Sequence, residues 1–292
     1  MIHLNKPNQF SDYQLLDTGN FQKLERFGKY ILIRPEPQAM WAPQQSMDNW
    51  KKQADAIFVA KSSSAGIWEK LTKNMPDQWT IQYKNNLGTN VTFRLGLTSF
   101  KHVGVFPEQA SNWDFIAESI QKLEIEEPTV LNLFAYTGGA SLVARQAGAS
   151  VTHVDSIKQV VTWANENRIL SNVDTIRWMV EDAMKFVQKE IRRGNKYNGI
   201  ILDPPAYGHG ANGENWKLEK DIQEMLLGVE QLLAEKHFMV LNTYSLGFSS
   251  LVIENLLYKH KENLIIGELY LPSKANHKLP LGVFGRVRNY AN

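Results

Sequence analysis

Asp203-Pro204-Pro205-Ala206-Tyr207 stands directly behind the aliphatic run Ile200-Ile201-Leu202 and ahead of Gly208. Runs of this kind bounded by breakers predict central strands of a parallel sheet, and the carboxyl ends of such strands face the ligand crevice. No regular element continues through two prolines, so the backbone beside the acid is rigid. Asp203 and the backbone of Pro204 and Pro205 can therefore offer acceptors to the edge of a flat ring, with Tyr207 stacking on its face. These four residues are the expected catalytic set. An ordinary strand-ending turn with a chance acid reads the same in isolation, so the neighbouring strand tips decide.

Upstream, Val130 to Phe134 leads into Ala135-Tyr136-Thr137-Gly138-Gly139-Ala140. A strand entering a glycine pair and then a helix predicts a nucleotide-binding turn, with backbone N–H groups and the helix N-terminus facing the ligand. It is not G-x-G-x-x-G, so the dinucleotide fingerprint is not met. The next strand ends in His153-Val154-Asp155, where an acid can accept both hydroxyls of a ribose. Capping of the following helix is the competing reading, although Ser156 can supply that cap instead. A third strand ends in Glu181-Asp182-Ala183. An acid there can accept from the exocyclic amine of adenine, with Ala183 leaving room for the ring, and helix capping again competes. Four successive tips thus carry Gly, Asp, Asp and Asp-Pro-Pro on one edge of a sheet.

The elements that position these tips fall into two regimes. Residues 1–107 read as a small β-rich domain: Phe21 to Pro35 is apolar and polar by turns and ends in a proline-rich break. Trp79–Tyr83 and Asn90–Leu97 alternate with a period near two around a hairpin loop. Trp41, Trp50 and Trp68 read as packing. From residue 108 to 292 strands alternate with helices. Helices are expected at Gln109–Leu123, Ala140–Gln146, Ile157–Leu170, Ala183–Arg193, Leu218–Glu235 and Ser249–His260. Strands are expected at Val130–Phe134, Val151–Val154, Ile176–Val180, Gly199–Leu202, Phe238–Leu241, Leu264–Leu271 and Val283–Val287. The pattern predicts an α/β fold with a doubly wound, mostly parallel, seven-stranded sheet. Only Pro272 to Gly282 separates the last two strands, too little for a crossover helix, so they must run antiparallel.

The chain has 292 residues, 43% hydrophobic and 21% charged, which suits a main domain plus a smaller one in an ordinary globular protein. A net charge of +2 favours no polyanionic partner by itself, although Leu256 to Asn292 holds six Lys or Arg against two Glu. Met1 to Phe10 lacks a signal-peptide pattern and no apolar run reaches membrane-spanning length, so a cytoplasmic location is expected. With no cysteine in the chain, disulfides, thiolate metal sites and a cysteine nucleophile are excluded.

Taken together, these motifs resemble those of the class I S-adenosylmethionine-dependent methyltransferases, which have a Rossmann-like fold. More closely, they are similar to the ribosomal RNA large-subunit methyltransferases that modify cytosine C5 or guanine N7. The resemblance covers about Phe106 to the C-terminus, and the β-rich domain is loosely similar to that family's middle domain. It rests on Phe134-Ala135-Tyr136-Thr137-Gly138-Gly139, Asp155, Glu181-Asp182-Ala183, Asp203-Pro204-Pro205-Ala206-Tyr207, Lys220-Asp221-Ile222 and Val105-Phe106-Pro107-Glu108-Gln109. It implies S-adenosyl-L-methionine as cofactor, held by Gln109, Phe134, Ala135, Tyr136, Thr137, Gly138, Asp155, Ser156, Asp182, Ala183 and Asp203. It departs from the family in two respects. Where cytosine-modifying members carry a nucleophilic cysteine, Leu241-Asn242-Thr243-Tyr244-Ser245 stands, and C5 chemistry needs such covalent activation. No separate RNA-binding module is read ahead of the β-rich domain, so substrate recognition must come from elsewhere.

A methyltransferase acting on a base nitrogen in RNA, ribosomal RNA foremost, is therefore the leading expectation. A base within a folded RNA must be splayed out to reach the methyl group. Two loops are expected to frame it. Gly208 to Asn215, with His209, reads as a mobile lid. Pro272 to Pro280 carries Lys274, His277 and Lys278 as phosphate contacts. Plain solvated connection is the competing reading for both, and neither histidine has metal-ligand spacing. Three alternatives stand: a small-molecule or protein substrate, a nicotinamide-dependent oxidoreductase, or a non-catalytic cofactor-binding factor. The missing glycine fingerprint and the antiparallel last strand count against the oxidoreductase.

Overall fold

The computed structural model describes residues 1–62, 65–209, 213–245 and 247–290, with the His209 side chain left out. The chain begins with β1 (Ile2–Asn5), β2 (Tyr13–Gly19), β3 (Gln22–Phe27) and β4 (Tyr30–Pro35). Helix α1 (Met47–Gln53), β5 (Ala56–Ala60), β6 (Gly66–Lys70) and the hairpin β7 (Gln78–Lys84) and β8 (Asn90–Gly96) follow. An alternating series then runs α2 (Ala110–Lys122), β9 (Thr129–Leu133), α3 (Gly139–Gln146), β10 (Ser150–Asp155), α4 (Lys158–Leu170), β11 (Arg177–Val180), α5 (Ala183–Arg193) and β12 (Tyr197–Leu202). A short hairpin, β13 (Tyr207–His209) and β14 (Asn215–Lys217), leads to α6 (Leu218–Glu230), β15 (Leu233–Thr243), α7 (Ser250–Leu256), β16 (Leu264–Pro272) and β17 (Lys278–Asn289).

The main sheet has the order β1-β16-β17-β15-β12-β9-β10-β11, with β17 antiparallel to both neighbours and every other pair parallel. Its central strands are aliphatic on both faces because both are covered. Ile200 and Leu202 of β12 pack into one core with Leu131, Leu133, Met239 and Leu241, while Ile201 packs into the other with Val130 and Val240. Eight strands stand where seven were expected. The addition is β1, which pairs in parallel with β16 (Ile2 opposite Ile266, Asn5 opposite Leu269). Its four residues, Ile2-His3-Leu4-Asn5, alternate apolar and polar but are largely exposed, and so short an alternation does not by itself mark a strand. Helix α6 stops at Glu230, short of the expected Glu235, and β15 begins at Leu233.

Residues 13–70 supply a five-stranded sheet of order β2-β3-β4-β5-β6. At its centre Glu25, with no exposure, accepts two hydrogen bonds from Arg34 (Nε 2.7 Å, Nη2 3.0 Å) and one from Tyr13 Oη (2.8 Å). The β7–β8 hairpin buries one face, Trp79, Ile81 and Tyr83 with Val91, Phe93 and Leu95, as its alternation requires. That face packs on the helical layer of the main sheet. Phe93 stacks on Trp113 of α2 at 5.4 Å, and Trp163 Nε1 of α4 donates to the Arg94 carbonyl (2.8 Å). Among the described residues no helix is long and apolar enough to cross a membrane.

Candidate active site

The turn after β9 is strained and firmly tied. Phe134, Tyr136 and Gly138 all have left-handed backbones, with φ of 56°, 50° and 88°. Two non-glycine residues in that region within one turn are costly and persist only where the surroundings enforce them. Tyr136 N donates to Asp155 Oδ2 (2.9 Å), Thr137 Oγ1 to the Gly104 carbonyl (2.7 Å), and Asn167 Nδ2 to the Thr137 carbonyl (2.9 Å). Beneath the turn, Asn132 Nδ2 donates to Ser141 Oγ (2.9 Å), which bonds His153 Nδ1 (3.0 Å). Burial pushes the His153 imidazole down to about 3, so it is a neutral strut. Gly138 caps α3, and a Cβ there would lie 3.1 Å from Ala164 Cβ.

Asp155, at the tip of β10, ties two loops together: Oδ2 holds Tyr136 N, and Oδ1 accepts from Ile157 N (3.0 Å). Burial raises its carboxyl pKa, opposed by these two backbone donors. Each carboxylate oxygen has two lone pairs, so Asp155 keeps acceptor capacity for a ligand. Ile157, not Ser156, occupies the N-cap of α4, and no side chain caps that helix. At the tip of β11 Asp182 does cap α5, accepting from Lys185 N (2.9 Å), with Ala183 buried behind it. Glu181 pairs with Lys189.

At the tip of β12 Asp203 is clamped from both sides. Gln109 Nε2 donates to Oδ2 (3.0 Å) and Asn242 Nδ2 to Oδ1 (2.7 Å). Burial raises the Asp203 carboxyl to about 6, partly offset by the Asn242 bond. Pro204 is buried and Pro205 exposed, and the Pro205 carbonyl accepts from Trp216 Nε1 (2.7 Å). The Trp216 ring lies 4.9 Å from that of Phe134, so β14 is fastened to the β9 turn. Tyr207 is 66% exposed, with Lys217 Nζ 5.6 Å from its ring centre.

One cavity is shared by Gln109, Phe134, Ala135, Tyr136, Thr137 and Asp203 among the expected residues. Asn112 and Asn242 line it too, and neither was expected. Asn242 lies in the stretch Leu241 to Ser245, where a nucleophilic cysteine is absent and an amide carries no signal of its own. Its Oδ1 is buried and has no hydrogen-bond partner among the described residues, so the cavity keeps an acceptor for a donor from outside. Asp155, Ser156, Asp182 and Ala183 stand on the adjacent strand tips of the same edge, outside this cavity wall. Tyr207 also lies off it.

The two expected framing loops fare differently. Residues 210–212 and the His209 side chain lie outside the described residues. The flanks of that loop pair as a hairpin, Tyr207 opposite Lys217 and His209 opposite Asn215. The loop after β16 is docked on the N-terminal sheet, with Lys274 N donating to the Leu15 carbonyl (3.0 Å). Lys274 and His277 line a separate cleft with Leu16, Gln44 and Gln45, and the His277 ring lies 5.6 Å from that of Trp41. Lys278 Nζ sits 5.4 Å from the Tyr270 ring centre. These three residues therefore do not share the Asp203 cavity.

Residues 110–263 match the family model described as Conserved hypothetical protein 95. A crystal structure of an S-adenosylmethionine-dependent methyltransferase from Agrobacterium tumefaciens is 36% identical, with a TM-score of 0.89, covering 99% of this chain and 94% of that one. A Streptococcus mutans structure shares the fold at 16% identity and a TM-score of 0.72, covering 96% of this chain and 76% of that one. The ribosomal RNA large subunit methyltransferase K/L of Shewanella frigidimarina is 28% identical over 178 residues, 60% of this chain and 23% of that protein. Its namesake in Alteromonas mediterranea is 27% identical over 242 residues, 77% of this chain and 33% of that protein. This chain thus spans about a quarter to a third of the curated relatives it matches.

Proposed function

We propose, from the premise that the chain belongs to the Conserved hypothetical protein 95 family and to the S-adenosylmethionine-dependent methyltransferases, that it methylates a ring or exocyclic nitrogen of a base in RNA. The observation that carries this reading is the Asp203 clamp, an acid held as acceptor by two amides beside Pro204 and Pro205 in a chain without cysteine. A donor-bearing nitrogen edge matches such an acceptor, whereas a ring carbon would need a nucleophile that this site lacks. Similarity to the ribosomal RNA methyltransferases supports RNA as the substrate class.

The lining of the cavity suits the amino-acid end of S-adenosylmethionine: the orphaned Asn242 oxygen can accept from a ligand N–H group, beside the apolar walls of Phe106 and Phe134. When bound, the cofactor supplies a methyl group already activated on a sulfonium. Gln109, Phe134, Ala135, Tyr136, Thr137 and Gly138 would hold it along the β9 turn, Asp155 and Ser156 at the ribose, and Asp182 with Ala183 at the adenine. In this reading Asp203 accepts from the substrate nitrogen and orients its lone pair, Pro204 and Pro205 keep that acid rigid, and Tyr207 stacks on the ring. Transfer then depends chiefly on positioning. His209, Lys274, His277 and Lys278 serve as outer contacts to RNA. In this reading residues 13–70 flank the substrate side, and Tyr244, which follows β15, ties them to the main sheet by donating to Glu36 beyond β4 (2.6 Å).

The test is to follow radiolabelled methyl from S-adenosylmethionine into total RNA from cells lacking this protein, beside protein and metabolite fractions. Label in a modified nitrogen of an RNA base is the expected result. Label confined to protein or small molecules would sink the RNA reading and favour the other acceptors.

A further inference from the structure

Arg286 of β17 is 6% exposed and, among the described residues, donates only to neutral groups. Nε donates to Asn112 Oδ1 (2.8 Å) and Nη2 to Ser111 Oγ (2.7 Å). With the Asn5 amide turned so that its oxygen faces the cation, Nη1 donates there too (2.8 Å). Its guanidinium packs against the rings of Phe284 (4.1 Å) and Phe115 (5.3 Å). A buried guanidinium without a carboxylate partner is costly to keep, and burial lowers its pKa to about 9.

What this cation does follows from donor–acceptor bookkeeping. Arginine has no acceptor, so the Asn112 side chain must turn its oxygen to it. That leaves Asn112 Nδ2 pointing the other way, where it donates to Gln109 Oε1 (2.7 Å). Gln109 in turn can present only its Nε2 to Asp203 Oδ2 (3.0 Å). Each amide could face either way alone, and the arginine at the far end removes the choice. We propose that Arg286 is a positioning residue that, through Asn112 and Gln109, holds Asp203 as an ionised acceptor of fixed orientation. The role rests on the reading of Asp203 as the acid that meets the methyl acceptor. Arg288 on the same strand and Asp114 on α2 are the charged groups that act on Arg286. At Asp203 burial raises the carboxyl and the Asn242 bond lowers it, with no charged group acting, and Gln109 meets its other oxygen.

Asn112→Asp is the decisive variant, because it is isosteric and keeps a partner for Arg286. The introduced carboxylate cannot donate, so Gln109 must turn its amide towards it and set its own oxygen against Asp203. Two acceptors then face each other, and Asp203 should hold its proton to higher pH. The expected result is a rise of about one pH unit or more in the Asp203 midpoint, read by carboxyl NMR titration. The acid limb of methyl transfer to total RNA should move with it, an about tenfold further loss at about pH 5, below both midpoints. Arg286→Lys, which keeps a donor, should hold the wild-type midpoint, and Arg286→Met should raise it. A folded Asn112→Asp protein with an unshifted Asp203 titration overturns the relay. Wild-type activity in Asp203→Asn would instead overturn the role given to Asp203, while the titration still decides whether the relay sets its proton.

Discussion

At the scale of single residues, two acids on one sheet edge stand in different surroundings, and the proposed function gives them opposite duties. Asp155 is satisfied by backbone N–H groups from the turns it joins, so losing it should collapse the cofactor side. Asp155→Ala should abolish detectable S-adenosylmethionine binding in a calorimetric titration. Asp203 is held by side-chain amides at the far end of the cavity. Asp203→Asn should bind the cofactor within a few-fold of wild type and lose transfer by on the order of a hundredfold, the usual cost of misplacing reacting groups. Equal loss of binding in both variants would refute this division.

The Asp203 carboxyl also makes a pH prediction. Its pKa is raised from 3.8 to about 6 by burial. A raised carboxyl favours folding at low pH, and that contribution disappears as pH climbs through about 6. The ionised form needed as acceptor is thus the less stable one. Transfer should fall as pH drops through about 6. Asp203→Asn should gain stability over wild type on going from about pH 4 to about pH 7, by on the order of 2–3 kcal/mol. A thermal melt series at those pH values would measure it, and a constant difference would show that Asp203 is not desolvated.

At the scale of elements, the β9 turn is the part most exposed to small changes. Gly138 combines a φ of 88° with a neighbour 3.1 Å from where a Cβ would stand. Gly138→Ala should cost about 1–2 kcal/mol for the left-handed backbone alone. It should also weaken S-adenosylmethionine binding about tenfold by moving the start of α3, as measured by calorimetry. Unchanged affinity would mean that the helix N-terminus does not face the cofactor. Asp182 teaches the converse lesson, since one carboxylate caps α5 and stands at an expected adenine contact. Sequence could not separate the two roles because both call for an acid at the first turn of a helix.

At the scale of the whole molecule, the loop after β16 links the two sheets. Its backbone docks on β2, so Lys274 is displayed beside residues of the N-terminal part, and neither it nor Lys278 lines the Asp203 cavity. If RNA crosses this face, replacing both lysines with alanine should lower the slope of log affinity against log salt by about one to two, leaving S-adenosylmethionine affinity unchanged. Filter binding with total RNA across a salt series reads this directly, and an unaltered slope would remove these residues from the RNA path. The aligned segments cover 23% and 33% of the two K/L relatives, so the chain corresponds to one part of each.

The seven strands of the α/β part and the residues at their tips were legible in the chain itself. Buried aliphatic runs, the β7–β8 alternation and the breakers Gly138-Gly139 and Pro204-Pro205 are local signals, and right-handed crossovers leave little freedom in how such units stack. Strand β1 was not legible, because an exposed four-residue edge strand is defined by its partner β16 at the far end of the chain. The partners of Asp203 were hidden for the same reason. Gln109 and Asn242 lie 94 and 39 positions away, and amides announce a role only when something meets them. The chain alone determined that an acid stands at the tip of β12. Only the tertiary structure decided its environment, because burial and the direction of an amide are properties of everything packed around them.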